Sequence, residues 1–180
     1  ASKGIGCDVR GICGKVDTVA NLQDLLIYAL KGVAVYGMKA REAGITNKKA
    51  DKLIMEGLFA TITNANFSSS YFEEKVKEAL ALREEIKNQL ADANVDIGQD
   101  LPDAATWFGT TPAELEEKAG QVGVLATKNE DVRSLRELLT YGIKGIAAYA
   151  KHAYVLGYEN DEVFAFMEKG LAATLDDSLS

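Results

Sequence analysis

Two cysteines, two prolines, one histidine and one tryptophan are all that 180 residues contain of those types, and each scarcity excludes something. So few cysteines cannot build the disulfide framework of a secreted scaffold, and in a reducing compartment they stay as thiols or serve as ligands. A single histidine, His152, leaves zinc centres and histidine-based triads little to work with. Basic residues number 20 against 27 acidic ones, a formal charge of -7, and no basic run exceeds the pair Lys48 and Lys49. A nucleic-acid or anionic-membrane footprint is therefore not expected. No apolar run approaches the roughly 18 residues that span a bilayer, and Ala1, Ser2, Lys3 and Gly4 lead into a glycine loop instead of an apolar secretory segment. These absences predict a soluble, cytoplasmic protein. With no initiator Met, it is expected to begin partway into a longer product.

Prolines occur only at Pro102 and Pro112, and apolar residues recur at three- and four-residue spacing through most of the chain, which predicts an all-α protein. Leu22, Leu25, Leu26, Ala29, Leu30, Val33, Tyr36 and Ala40 form one face of a long first helix, with Asp17 or Thr18 as N-cap and Gly44 as its stop. Thr46 or Asn47 caps a second helix, buried through Ala50, Leu53, Ile54, Gly57, Leu58 and Thr61. Ser70 and Glu73 read as a capping box for a third, through Val76, Ala79, Leu80, Ile86 and Leu90. Three consecutive amphipathic helices bury their stripes against each other, so 17–92 is expected to form a three-helix bundle. The pattern weakens over a connector, 93–129, with one short helix: Thr111 caps it, Pro112 opens it, Glu114 closes a capping box and Gly120 ends it.

The chain then repeats itself. "LQDLLIYALKGVAVYGMKAREAG" from Leu22 aligns without a gap to "LRELLTYGIKGIAAYAKHAYVLG" from Leu135, and "GLFAT" from Gly57 aligns to "GLAAT" from Gly170 at the same offset. About 15 of 40 aligned positions are identical, more than shared helical periodicity produces, so the unit is duplicated. The second unit, 130–180, has no counterpart of the third helix: "DDSLS" occupies the place of "TNANF". Two helices without their third expose apolar faces, which a continuation of the chain or self-association is expected to cover. Both units carry a "YxxKGxxxY" pattern, Tyr28, Lys31, Gly32, Tyr36 and Tyr141, Lys144, Gly145, Tyr149. Glycine inside a helix costs about 1 kcal/mol relative to alanine, so its recurrence predicts close helix contact.

The chemical candidate is the loop at 1–16. "GCDVRGICGK" sets Cys7 and Cys13 among Gly4, Gly6, Gly11 and Gly14, with Arg10 and Lys15 adding positive charge. Such a loop brings backbone N–H groups close to an anionic ligand, which suits thiolates on an iron–sulfur cluster. Two cysteines alone leave incidental thiols or a disulfide as alternatives. Paired Glu-x-x-His motifs of a di-iron bundle, phosphate loops and dinucleotide fingerprints are all missing.

The cysteine loop, both helical units in order and the final "TLDDSLS" together resemble the N-terminal region of the hybrid cluster proteins, also called prismane proteins or hydroxylamine reductases. The resemblance covers essentially the whole chain. It implies a first domain of two three-helix bundles. It also implies that Cys7 and Cys13 are the third and fourth ligands of a [4Fe-4S] cluster, or of a [2Fe-2S] cluster in some members. The first two ligands belong to a C-x2-C pair that this sequence lacks. In the family that cluster relays electrons to a hybrid iron–sulfur–oxygen cluster held by later domains, which reduces hydroxylamine or related nitrogen oxides such as nitric oxide. The implied partners are those domains and a reductase. No catalytic residue is expected within this chain. A helical scaffold without redox chemistry and the helical domain of the related carbon monoxide dehydrogenases are the alternatives.

Overall fold

The computed structural model describes residues 13–63 and 66–176. Every regular element among them is helical: α1 Asp17–Glu42, α2 Lys48–Ile62, α3 Ser69–Asp92, α4 Asp103–Thr106, α5 Pro112–Ala119, a 3-10 turn Val124–Ala126, α6 Glu130–Val155 and α7 Asp161–Ala173. The all-α expectation is met. The apolar stripes predicted for the first three helices are buried throughout.

The duplication reaches the level of individual hydrogen bonds. Asn47 caps α2 by accepting from the amides of Lys49 and Ala50, and Asn160 caps α7 by accepting from those of Glu162 and Val163. The preceding turns match as well. Gly44 and Gly157 have φ of +75° and +87°, the left-handed conformation in which glycine avoids a Cβ penalty. The next amide, of Ile45 or Tyr158, returns to the carbonyl of Ala40 or Ala153 at 2.8 and 3.0 Å. Gly57 of α2 and Gly170 of α7 each let the facing helix of their own hairpin approach. A Cβ would stand 2.7 Å from Leu30 Cδ1 in the first unit and 2.5 Å from Ile143 Cδ1 in the second.

Two cap expectations need correction. Val16 occupies the N-cap of α1 and offers no side-chain acceptor, while Asp17 lies inside the helix and accepts only from the neighbouring amide of Thr18. In α3 the cap is Ser68, which accepts from the amide of Tyr71 at 3.3 Å. Ser70 is already helical and pairs with Ser68, so the Ser70 and Glu73 box is not the start. The box at Thr111 and Glu114 is present as expected, with Pro112 at the first helical position. The connector holds two short helices and a 3-10 turn where one helix was expected.

One hydrophobic core runs through both units. α1 packs on α3 and α7, while α2 packs on α6. Those reciprocal contacts, α1 on α7 and α2 on α6, relate the two hairpins by an approximate two-fold axis. Lys48 and Asp161 occupy equivalent positions at the starts of α2 and α7 and pair with each other, as residues on such an axis must. The first hairpin has further cover. Arg83 of α3, fully buried, donates Nη1 to the carbonyls of Ala104 and Trp107 at 3.0 and 2.7 Å, and its other nitrogens reach Glu84. That guanidinium satisfies backbone acceptors at the end of α4 that burial would otherwise leave unpaired. The α4 backbone rests directly on α1 at Gly32, where a Cβ would fall 2.0 Å from the Ala104 oxygen.

Candidate functional site

Cys13 ends the loop just ahead of α1, exposed and free. Cys7 lies outside the described residues. Gly14 follows with φ +90°, so the chain reverses in a conformation that L-residues avoid. Lys15 then turns inward: it is 5% exposed, donates Nζ to the Thr63 carbonyl at 3.4 Å and lies 5.8 Å from the centre of the Phe67 ring. A buried ammonium at the end of α2 thus anchors the loop to the bundle and puts fixed positive charge two residues from the thiol. Val16 offers no side-chain cap to α1, and the Asp17 carboxylate takes the Thr18 amide at the positive end of that helix.

An iron–sulfur cluster suits this donor chemistry in part. An accessible thiol, a glycine turn and adjacent positive charge favour thiolate ligation. Two thiols in the whole chain supply half of a four-thiolate set. Among the described residues no group of three or more His, Cys, Asp or Glu side chains is arranged to hold a metal ion. Nor is any helix there long and apolar enough to cross a membrane.

The remaining singled-out residues are structural. His152 is exposed and meets Phe59 edge-on, with ring centres 5.8 Å apart. Tyr28 donates its hydroxyl to Asp103, which also accepts from Lys118 Nζ at 2.6 Å, and the Lys118 ammonium lies over the Tyr28 and Trp107 rings. Those two hydrogen bonds, with Lys118 first, hold the Asp103 carboxyl below the usual range. Phe108 is exposed beside them.

Sequence reasoning missed the buried charges. Arg41, at the end of α1, donates Nε to Glu168 of α7 at 2.6 Å and Nη2 to Asp51 of α2, joining three helices through one guanidinium. Burial pushes Glu168 up to about 7 despite that partner, and it raises Asp51 too. Gly37 makes the room, since a Cβ there would stand 2.6 Å from Glu168 Oε1. The signal was a lone acid inside the apolar stripe of a helix. A second set, Asp24 and Lys31 of α1 with Glu137 and Lys144 of α6, lines a cavity near the two-fold axis. Its signal was an acid and a lysine recurring seven residues apart in both units.

Comparison with known proteins extends this picture. The family model described as Prismane/CO dehydrogenase family matches residues 3–180. A hydroxylamine reductase from Desulfitobacterium hafniense (strain DSM 10664 / DCB-2) is 58% identical over 179 residues, which is 99% of this chain and 33% of that protein. One from Thermoanaerobacter pseudethanolicus (strain ATCC 33223 / 39E) is 57% identical over 180 residues, again 33% of its length. Another from Clostridium novyi (strain NT) is 59% identical over 169 residues, or 94% of this chain and 31% of that protein. This chain thus spans a third of the length of the curated relatives it matches. With a duplicated helical hairpin, a glycine-flanked thiol at its head and a match across nearly every residue, the chain belongs to the Prismane/CO dehydrogenase family.

Proposed function

We propose that this chain is the N-terminal, electron-relaying part of a hydroxylamine reductase, a protein that reduces hydroxylamine to ammonia and water or acts on related nitrogen oxides such as nitric oxide. The observation that carries the reading is the extent of its match to proteins of that name, and those names favour this branch over carbon monoxide dehydrogenase. Cys7 and Cys13 would hold an iron–sulfur cluster together with two thiolates from outside this sequence, and when bound it supplies one-electron transfer. Lys15 contributes charge near the ligands, and the α1 and α2 termini keep the loop in place. A reductase is the electron donor, and later domains bind and convert the substrate.

Turnover tests this reading directly. Protein carrying this sequence at the full length of its relatives is expected to consume hydroxylamine and release ammonium in equal amounts when given a chemical reductant without oxygen. A Cys13→Ser variant is expected to lose at least about ten-fold in the rate driven by a protein donor. Absence of hydroxylamine consumption in the intact protein would contradict the reading.

A further inference from the structure

The two-fold relation between the hairpins brings together residues that the sequence repeat keeps far apart. Lys31 and Lys144 are equivalent positions of the two units, as are Asp24 and Glu137. All four line one cavity of about 480 Å³ between α1, α6 and the Gln121–Thr127 segment. Among the described residues none of the four joins an ion pair.

Two ammonium groups drawn to one cavity repel each other and lose water, so each is easier to deprotonate than usual. Burial is the main cause for both. The charges of Arg136 and Lys144 add to it at Lys31, and that of Lys15 adds to it at Lys144, against the opposing pull of Asp24 and Glu137. Arg136 also lines the cavity, donating to Thr127 Oγ1 and to the Asp176 carbonyl, both at 3.1 Å. Lys31 and Lys144 thus share the cavity with two carboxylates, Asp24 and Glu137. Asp24 is pushed up to about 6, by burial first and then by Glu137.

A separate observation points the same way. Thr140 stands where the first unit has Ile27, on the cavity wall, 4% exposed, and its Oγ1 has no hydrogen-bond partner. A buried hydroxyl without a partner costs about 1–3 kcal/mol, so a hydroxyl in an isoleucine's place marks a position that meets a polar group.

We propose that this cavity binds a small oxyanion, of the phosphate or carboxylate class, between the ammonium groups of Lys31 and Lys144, with Thr140 donating a hydrogen bond to it. An anion there relieves the lysine repulsion, and the hydroxyl gains its acceptor.

The 180-residue chain is titrated with inorganic phosphate and, separately, with malonate at constant ionic strength, while amide chemical shifts around the cavity are followed. Saturable shifts with either anion support the site, and the better of the two identifies the geometry it prefers. Lys144→Met is expected to weaken binding at least about ten-fold, near 1.4 kcal/mol, and Thr140→Val, which preserves volume, about three-fold. Exposed Lys77→Met is expected to change nothing. Circular dichroism checks that each variant stays helical. No saturation up to about 20 mM, or equal weakening by Lys77→Met and Lys144→Met, would overturn the proposal.

Discussion

Tyr36 is 1% exposed and its repeat equivalent Tyr149 is 81% exposed; Leu25 is 0% exposed and Leu138 is 71%. The two hairpins share the span of their first helix, the asparagine cap of their second, the turn conformation between them and the glycine that closes each pair, yet one helix face is core in α1 and surface in α6. What differs lies outside the repeat. In the first unit α3 lies along α1, α4 settles onto Gly32, and Tyr36 donates its hydroxyl to the Ala105 carbonyl at 3.2 Å. In the second, nothing lies within 4 Å of a Cβ built at Gly145. The same "YxxKGxxxY" sequence is therefore a socket that becomes core only when something fills it.

Paired substitutions sharpen that contrast. Tyr36→Ala removes a buried ring and is expected to destabilise the chain by about 3–5 kcal/mol, while Tyr149→Ala should stay within about 0.5 kcal/mol, both read from denaturant midpoints. Equal effects would mean that α6 is covered in solution. Gly32→Ala drives a methyl into a backbone carbonyl that Arg83 holds fixed, and a loss of about 2–3 kcal/mol is expected. Gly145→Ala meets open space on a helix and is expected to raise stability by about 0.5–1 kcal/mol. The caps of α2 and α7 supply the inverse control, because they are alike in both units. Asn47→Ala and Asn160→Ala should each cost about 1 kcal/mol, and unequal losses would show that the hairpins are not equivalent at their turns.

Acidity offers a smaller effect. Glu168 and Asp24 both have raised carboxyl values when folded, so each binds its proton more tightly in the native state than in the unfolded chain. Their contribution to stability is complete below their ordinary values of 4.5 and 3.8, and it is lost as pH rises through about 7 for Glu168 and about 6 for Asp24. Denaturation midpoints measured from pH 5 to 8 are expected to show this decline, and Asp24→Asn is expected to remove the part centred nearer 6.

Helix positions, apolar stripes and the duplication were legible in the sequence because spacing, Asn caps and turn glycines are local signals. The packing of the two units across an axis was not, since nothing in a helix's own periodicity says which neighbour its second face meets. Glycine illustrates the limit. Gly32 and Gly145 read alike, and only α4 makes one of them indispensable. The N-caps at Val16 and Ser68 were misplaced because Asp17, Thr18 and Ser70 are equally good capping types within two residues, and tertiary docking decides among them. Buried ions stayed hidden for a related reason: Arg41, Asp51 and Glu168 come from three helices, and only their meeting reveals the role of each. At the cysteine loop, residue types and glycines suggested cluster chemistry, whereas the full ligand set cannot be read from two thiols.

The most direct measurement is iron and acid-labile sulfide content, with an EPR spectrum after reduction, on protein of the relatives' full length and on its Cys13→Ser variant, both prepared anaerobically. The account predicts that the variant loses one cluster's worth of iron and sulfide together with the matching EPR signal, while the remaining clusters and the helical fold persist. Unchanged iron, sulfide and spectrum in Cys13→Ser would contradict it, leaving the loop a structural turn and the two hairpins a scaffold.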